Sequence, residues 1–143
     1  MKLQKKLLTF GATLLLTSTL YAQDGASLFA AKCAACHQTS RPNDMSTLVA
    51  PPVMGVMRHV KMRYTTKEDA MKFIIEYALN PQVSKSVCMP QKIKRFGLMP
   101  SQKGNVGKEE LTTIAAWMYD NFPSQGFQGM GQGKGQAKGC QTR

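Results

Sequence analysis

Several things that would point to an enzyme or a membrane protein are scarce here. The 143 residues include only two histidines, His37 and His59, and eight acidic side chains. They offer no acid–base pair and no other catalytic constellation. No stretch alternates as a strand does, and no segment repeats at a fixed period. Past the N-terminus, no apolar run approaches the roughly 20 residues needed to cross a bilayer. There are only four cysteines, too few for a disulfide scaffold, and two of them stand in one short motif.

Basic charge is plentiful. Lysine and arginine total 19 against 8 acidic residues, a formal net charge of +11. Met1 to Lys6 forms a basic leader, and Leu7 to Leu20 is apolar with threonines mixed in. Tyr21-Ala22 closes the stretch on a small residue. This is the pattern of a cleaved export signal over 1–22; an uncleaved anchor is the alternative, disfavoured by the short apolar run. The mature chain would keep a charge of roughly +8. That charge suits acidic proteins or anionic lipid head groups. Export argues against nucleic acid and for an oxidising, periplasmic location. The mature protein would not span a membrane, though surface contact with one stays open. From Ser124 onward Gly, Gln, Lys and Ser dominate, which reads as a flexible tail over 124–143. The folded domain is expected over 23–123.

Within that domain the signals are helical. Asp24 is a good N-cap for a helix running to Ala35. Ala50-Pro51-Pro52 must be extended, because proline restricts the residue before it. Thr65 and Thr66 offer caps for a helix over Lys67 to Leu79, with Glu68 and Asp69 placed as in a capping box. Its face is lined by Ala70, Ile74, Tyr77 and Ala78. Gln82 to Val106 reads mostly as loop, with a short turn near Lys92 to Arg95. Lys108 to Asn121 is the clearest helix, because Leu111, Ile114, Ala115 and Met118 recur at i, i+3, i+4 and i+7. The expected fold is all-α with long loops, and loops of that length in a small domain usually wrap or bind something.

Cys33-Ala34-Ala35-Cys36-His37 is the C-x-x-C-H pattern of haem attachment. Two thiols separated by two residues reach both vinyl groups along one haem edge and form thioethers. The histidine that follows lies under the ring and ligates iron. Three other readings compete: a redox-active dithiol, which usually follows a strand in a βαβ unit; half of a zinc site, whose further ligands would have to come from His59, Cys88 or Cys140; and a chance match. Pattern and export together favour haem. Methionine is the usual sixth ligand where a high potential is needed. Met89-Pro90 and Met99-Pro100 both place a stiffening proline after the sulfur-bearing residue. Met99 is preferred, since its loop Phe96-Gly97-Leu98-Met99-Pro100 shortly precedes the last helix. Met89 and His59 are the alternatives.

These residues together resemble the class I c-type cytochromes, the small mono-haem family with His/Met ligation. The resemblance covers roughly Asp24 to Phe122. Gly25 and Phe29 match the first helix, Cys33, Cys36 and His37 the attachment site, and Ala50 to Gly55 the proline loop. Phe96 to Pro100 matches the axial-methionine loop, and Trp117 the aromatic position of the last helix. The resemblance implies the small cytochrome c fold, with three to five helices wrapped round one covalent haem c. It implies His37 and Met99 as iron ligands, and a Pro51 carbonyl that accepts the proton of the other His37 ring nitrogen. It implies that the first and last helices cross at Gly25.

The implied function is single-electron transfer between redox partner proteins, without catalysis by the chain itself. A cytochrome subunit of a larger oxidoreductase or haem enzyme is the alternative, and a gas or redox sensor a weaker one, since no output domain is visible. Arg58, Lys61, Arg63, Lys92, Lys94 and Arg95 either ring an exposed haem edge and steer acidic partners or form an ordinary solvated surface. Cys88 and Cys140 depart from the family pattern. They could be bridged to each other, remain thiols or bond between chains.

Overall fold

The computed structural model describes residues 24–123. The expected export signal over 1–22, the expected tail over 124–143 and Cys140 lie outside the described residues. Within them the chain forms five α-helices and two single turns of 3-10 helix, with no strand. The helices are α1 (Gly25–Lys32), α2 (Val53–Arg63), α3 (Lys67–Leu79), α4 (Pro90–Phe96) and α5 (Lys108–Asn121).

Local chemistry sets most of these boundaries. Asp24 caps α1 by accepting from the Ser27 amide at 2.9 Å and the Ser27 hydroxyl at 3.0 Å. Both bonds stabilise the ionised carboxylate and hold Asp24 below its ordinary pKa. Thr66, rather than Thr65, caps α3. Its hydroxyl oxygen accepts from the Asp69 amide at 3.1 Å and its proton goes to the Asp69 carboxylate at 2.8 Å. At the start of α5 the Glu110 carboxylate reaches back to the Gly107 amide at 2.7 Å. This satisfies one of the donors that every helix start leaves over.

The helices at Lys67–Leu79 and Lys108–Asn121 agree with the sequence reading. Three stretches differ. The first helix stops at Lys32 instead of continuing to Ala35, because the Ala34 amide bonds the Phe29 carbonyl at 3.0 Å and the regular ladder is lost. The segment after Pro52 is a full helix that was not expected. Val53, Met57 and Val60 are buried at spacing four and three, but Gly55 and three β-branched valines lower its intrinsic propensity. The expected turn near Lys92 is helix α4, opened by Pro90 in its first turn, where a missing amide costs nothing.

α5 is the centre of the domain, with α1 and α3 packed on it and α2 touching it more lightly. Its buried stripe is Leu111, Ile114, Ala115 and Met118. Phe29 of α1 packs on Trp117 with ring centroids 5.1 Å apart, and Trp117 meets Phe122 edge-on at 5.2 Å. Gly25 makes the α1–α5 crossing possible. A Cβ there would lie 2.8 Å from the Thr113 carbonyl oxygen and still closer to the Trp117 side chain. Two of those neighbours are backbone oxygen and Cβ, which cannot swing aside. Gly25→Ala is therefore expected to lower stability by about 1–3 kcal/mol through overpacking, measured by denaturant unfolding. An unchanged midpoint would show that the crossing is not tight.

Candidate functional site

The turn after α1 carries the C-x-x-C-H residues. Bonds from the Cys36 amide (3.1 Å) and the His37 amide (2.9 Å) to the Cys33 carbonyl wind Cys33 to His37 into one compact turn. Cys33 is half-buried and Cys36 exposed. The His37 ring is oriented by its Nδ1, which donates to the Pro51 carbonyl oxygen at 2.8 Å. That bond fixes the tautomer and leaves Nε2 available as a ligand. The proline loop is itself tied down, since the Val53 amide bonds the Gln38 carbonyl at 3.0 Å. The sequence between His37 and Pro51 thus closes into a loop whose two ends hold each other.

Met99 is delivered from the other side of the chain. Gly97 ends α4 with φ +76, a conformation open mainly to glycine. The backbone thereby leaves α4 and enters the Met99 loop. Beyond Met99 the chain is fastened to the end of α3. The Ser101 hydroxyl donates to the Leu79 carbonyl at 2.6 Å and the Gln102 amide to the Ala78 carbonyl at 2.8 Å. Ser101 and Gln102 were not singled out from sequence. Their role depends on where α3 ends in space, which no local pattern records.

Cys33, His37, Pro51 and Met99 all line one cavity, whose empty space is about 910 Å³ when the open solvent at its mouth is included. Its wall is strongly apolar. Val56 and Val60 come from α2, Phe73 and Ile74 from α3, Ile93 from α4 and Ile114 from α5. A second cavity of about 730 Å³ adjoins it, sharing Cys33, His37, Pro51, Gly97 and Met99 and adding Cys36. All five residues expected to hold the cofactor therefore meet in one place. A flat, largely apolar ring with a metal at its centre fits the setting: two thiols at one edge, one oriented imidazole, one thioether and hydrophobic walls.

The competing readings of the motif fit less well. Burial, and then the neighbouring Cys36, push the Cys33 thiol above its ordinary pKa, whereas a redox-active dithiol needs a lowered one. Among the described residues no three or more of His, Cys, Asp and Glu gather as a metal cage, so a four-ligand zinc site is not assembled. Met89 precedes Pro90 only because it is the N-cap of α4, and it lines neither cavity while 40% exposed. His59 is half-buried rather than solvated and also lies outside both walls. Burial, Arg58 and Lys92 together hold its pKa down.

The six basic residues are not one ring. Arg58 and Lys92 approach each other at His59, and Lys92 stands on the cavity wall. On α4, Arg95 lies over the Phe96 ring at 4.7 Å and donates to the Met45 carbonyl. Lys61 sits over Tyr119 at 4.4 Å, and Arg63 lies near Tyr64. No helix among the described residues is long and apolar enough to cross a membrane.

An all-helical domain whose adjoining cavities are flanked by the C-x-x-C-H turn and a methionine loop is the small cytochrome c fold. Proteins of this class bind haem c and transfer electrons. The sequence model for the family described as cytochrome C oxidase, cbb3-type, subunit III matches residues 21–118, and the chain belongs to that family. An uncharacterized protein of Aquifex aeolicus (strain VF5) is 30% identical over 113 residues, covering 70% of this chain and 74% of its own length. No solved structure matches the chain.

The anchoring of the Met99 loop is testable. Ser101→Ala removes the bond to the Leu79 carbonyl and is expected to cost about 0.5–1.5 kcal/mol in denaturant unfolding. Met89→Leu, at an exposed N-cap without a side-chain bond, should stay within about 0.5 kcal/mol of the parent. Equal losses from both would remove the case for a fastened Met99 loop.

Proposed function

We propose that this chain is an exported, class I, mono-haem cytochrome c that carries single electrons between periplasmic redox proteins. The observation that supports it most is the meeting of Cys33, Cys36, His37 and Met99 around one pair of adjoining apolar cavities. In this reading Cys33 and Cys36 would hold the haem through two thioethers, and His37 Nε2 and Met99 Sδ would hold its iron. When bound, haem supplies an iron that alternates between the ferric and ferrous states.

The chain's own residues do the rest. Pro51 holds the His37 ring by its Nδ1 proton, so the ring cannot rotate as charge on the iron changes. The Ser101 and Gln102 bonds hold the Met99 loop in place. The walls from α2, α3 and α4 exclude water and keep the surroundings of low polarity, which favours the less charged ferrous state. With both axial positions filled by protein, no position is left for a substrate, and the chain is not a catalyst by itself. The excess of lysine and arginine steers acidic partner surfaces toward it and raises encounter rates at low salt.

A second reading, a cytochrome subunit of a larger oxidoreductase, is favoured by the family's description as an oxidase subunit. It predicts that the chain purifies from its host with a catalytic subunit, whereas a carrier purifies alone.

The primary test is the optical spectrum of the exported protein, oxidised and then reduced. A covalent haem stays with the polypeptide after denaturation and acid extraction. The oxidised spectrum should carry the weak sulfur-to-iron band at its red end. Met99→Ala should abolish that band and open the iron to carbon monoxide, while Met89→Ala leaves both properties as in the parent. Rapid carbon monoxide binding by the parent would instead mean an open sixth position and a haem enzyme.

A further inference from the structure

The main cavity has an electrostatic imbalance. Among the described residues, Lys92 is the sole lysine or arginine on its wall, and no aspartate or glutamate lines it. Lys92 does not stand alone at that edge. Its charge and that of Arg58 both act on His59, so α2 and α4 bring three basic groups together there. The two ion pairs among the described residues, Lys32 with Glu110 and Lys67 with Asp120, involve neither Lys92 nor Arg58. Like charges brought together beside a low-polarity cavity are destabilising unless an anion joins them.

The cavity that Lys92 lines also carries hydroxyls on its wall. Ser86 and Tyr77 line the same cavity. Ser86 Oγ accepts from the Cys88 amide at 3.1 Å, which fixes the oxygen and leaves its proton to donate elsewhere. Tyr77 is held by stacking on Phe73 at 5.4 Å. One cation and two hydroxyl donors therefore share a wall that is otherwise apolar.

We propose that Lys92, with the Ser86 and Tyr77 hydroxyls, forms the seat for the carboxylate side chains of the haem, and that Arg58 reinforces it from α2. This rests on the haem-protein reading above. A haem carries two carboxylates on one edge, away from the vinyl groups that meet Cys33 and Cys36. Those carboxylates provide the negative charge that the protein withholds from this edge. Lys92 is then a positioning residue. It orients the ring about its own axis and offsets the carboxylate charge that would otherwise stabilise the ferric state. An opposite charge at close range lowers a carboxylate pKa by about 1–3 units. Tyr77 from α3 and Ser86 and Cys88 from the segment before α4 line the cavity with Lys92, and Arg58 and His59 of α2 lie outside its wall, where the charges of Arg58 and Lys92 act on His59. Of these, Arg58 is permanently charged and His59 is the group that titrates closest to neutrality.

The test follows the carboxylates themselves, so that His59 cannot be mistaken for them. In the ferric holoprotein the haem propionate methylene protons are resolved by NMR and titrated with pH. Lys92→Gln should move their titration upward by about 1–3 units and lower the reduction potential. Lys92→Arg should hold both near the parent values. Lys94→Gln, an exposed cation on the same helix, should leave the titration where it was. If Lys92→Gln leaves the titration unmoved, or Lys94→Gln moves it equally, the seat is not at Lys92. Should Lys92→Gln fail to fold, a Lys92→Arg protein whose titration shifts as far as about one unit would overturn the proposal as well. Absence of haem from the parent protein would defeat the electron-carrier reading instead, so the two failures are distinct.

Discussion

The structure depends on the way four helices direct apolar side chains at one shared space instead of at each other. Val56 and Val60 of α2, Phe73 and Ile74 of α3, Ile93 of α4 and Ile114 of α5 border the same cavity. A domain of about a hundred residues has little apolar surface to spare, and protein interiors are otherwise packed as densely as organic crystals. Here Val53, Val60 and Ile114, which with Met57 are the largest completely buried side chains among the described residues, also border the cavity, so the packed core lies directly against it. The remainder of the hydrophobic face is completed by a broad, flat ligand. Folding and cofactor binding are thereby coupled, since whatever binds the folded form stabilises it.

That coupling explains why the loops are long and yet well fastened. A ligand with two faces has to be approached from both sides by segments distant in sequence. His37 arrives on the turn after α1, and Met99 arrives on the loop after α4. Each is supported by backbone atoms of another segment: the Pro51 carbonyl for His37, and the Ala78 and Leu79 carbonyls for the residues that follow Met99. The last two belong to the end of α3, where carbonyls have no partner inside the helix. The same leftover acceptors that every helix end presents become the fastening for the methionine loop. Gly97 contributes the reversal that brings the loop there.

How much of this can be read from the sequence follows from how local each cause is. The C-x-x-C-H turn, the capped α3 and the amphipathic α5 are each determined within one or two turns of chain, and they appear where the pattern puts them. Helix α2 was hidden because its valines and Gly55 argue for loop or strand locally, while its burial comes from contacts made elsewhere. Its spacing of Val53, Val56, Met57 and Val60 would have revealed it had the stretch after the prolines been tested for period 3.6. That Met99 and not Met89 lines the cavities accords with the preference drawn from sequence, but the reason for the second Met-Pro pair was not legible. Met89-Pro90 repeats the Met-Pro pattern because proline suits the first turn of α4. Ser101 and Gln102 lie beyond local inference, because each takes its meaning from a neighbour far along the chain, whereas Lys92 stood out only as one of six basic residues.

The distribution of charge bears on what the domain can do. Cations of both basic regions lie on aromatic faces, Lys61 on Tyr119 and Arg63 near Tyr64 in one, and Arg95 on Phe96 in the other. Such contacts stabilise the surface but leave each cation exposed to a partner's field. The other region, around α4, sits where the chain turns from the cavity wall toward Met99. A charge placed on this helix acts on two things at once: the energy of the oxidised against the reduced state inside, and the approach of a partner outside. Inside, the interaction is strong because the medium is apolar; outside, it is weakened by water and by salt over about 8–10 Å. Lys92, on the cavity wall, and Lys94, on the exposed side, therefore belong to one short helix but to different electrostatic regimes. In the proposed electron carrier, the first would bear on how readily the protein holds an electron, and the second on how often it meets a partner.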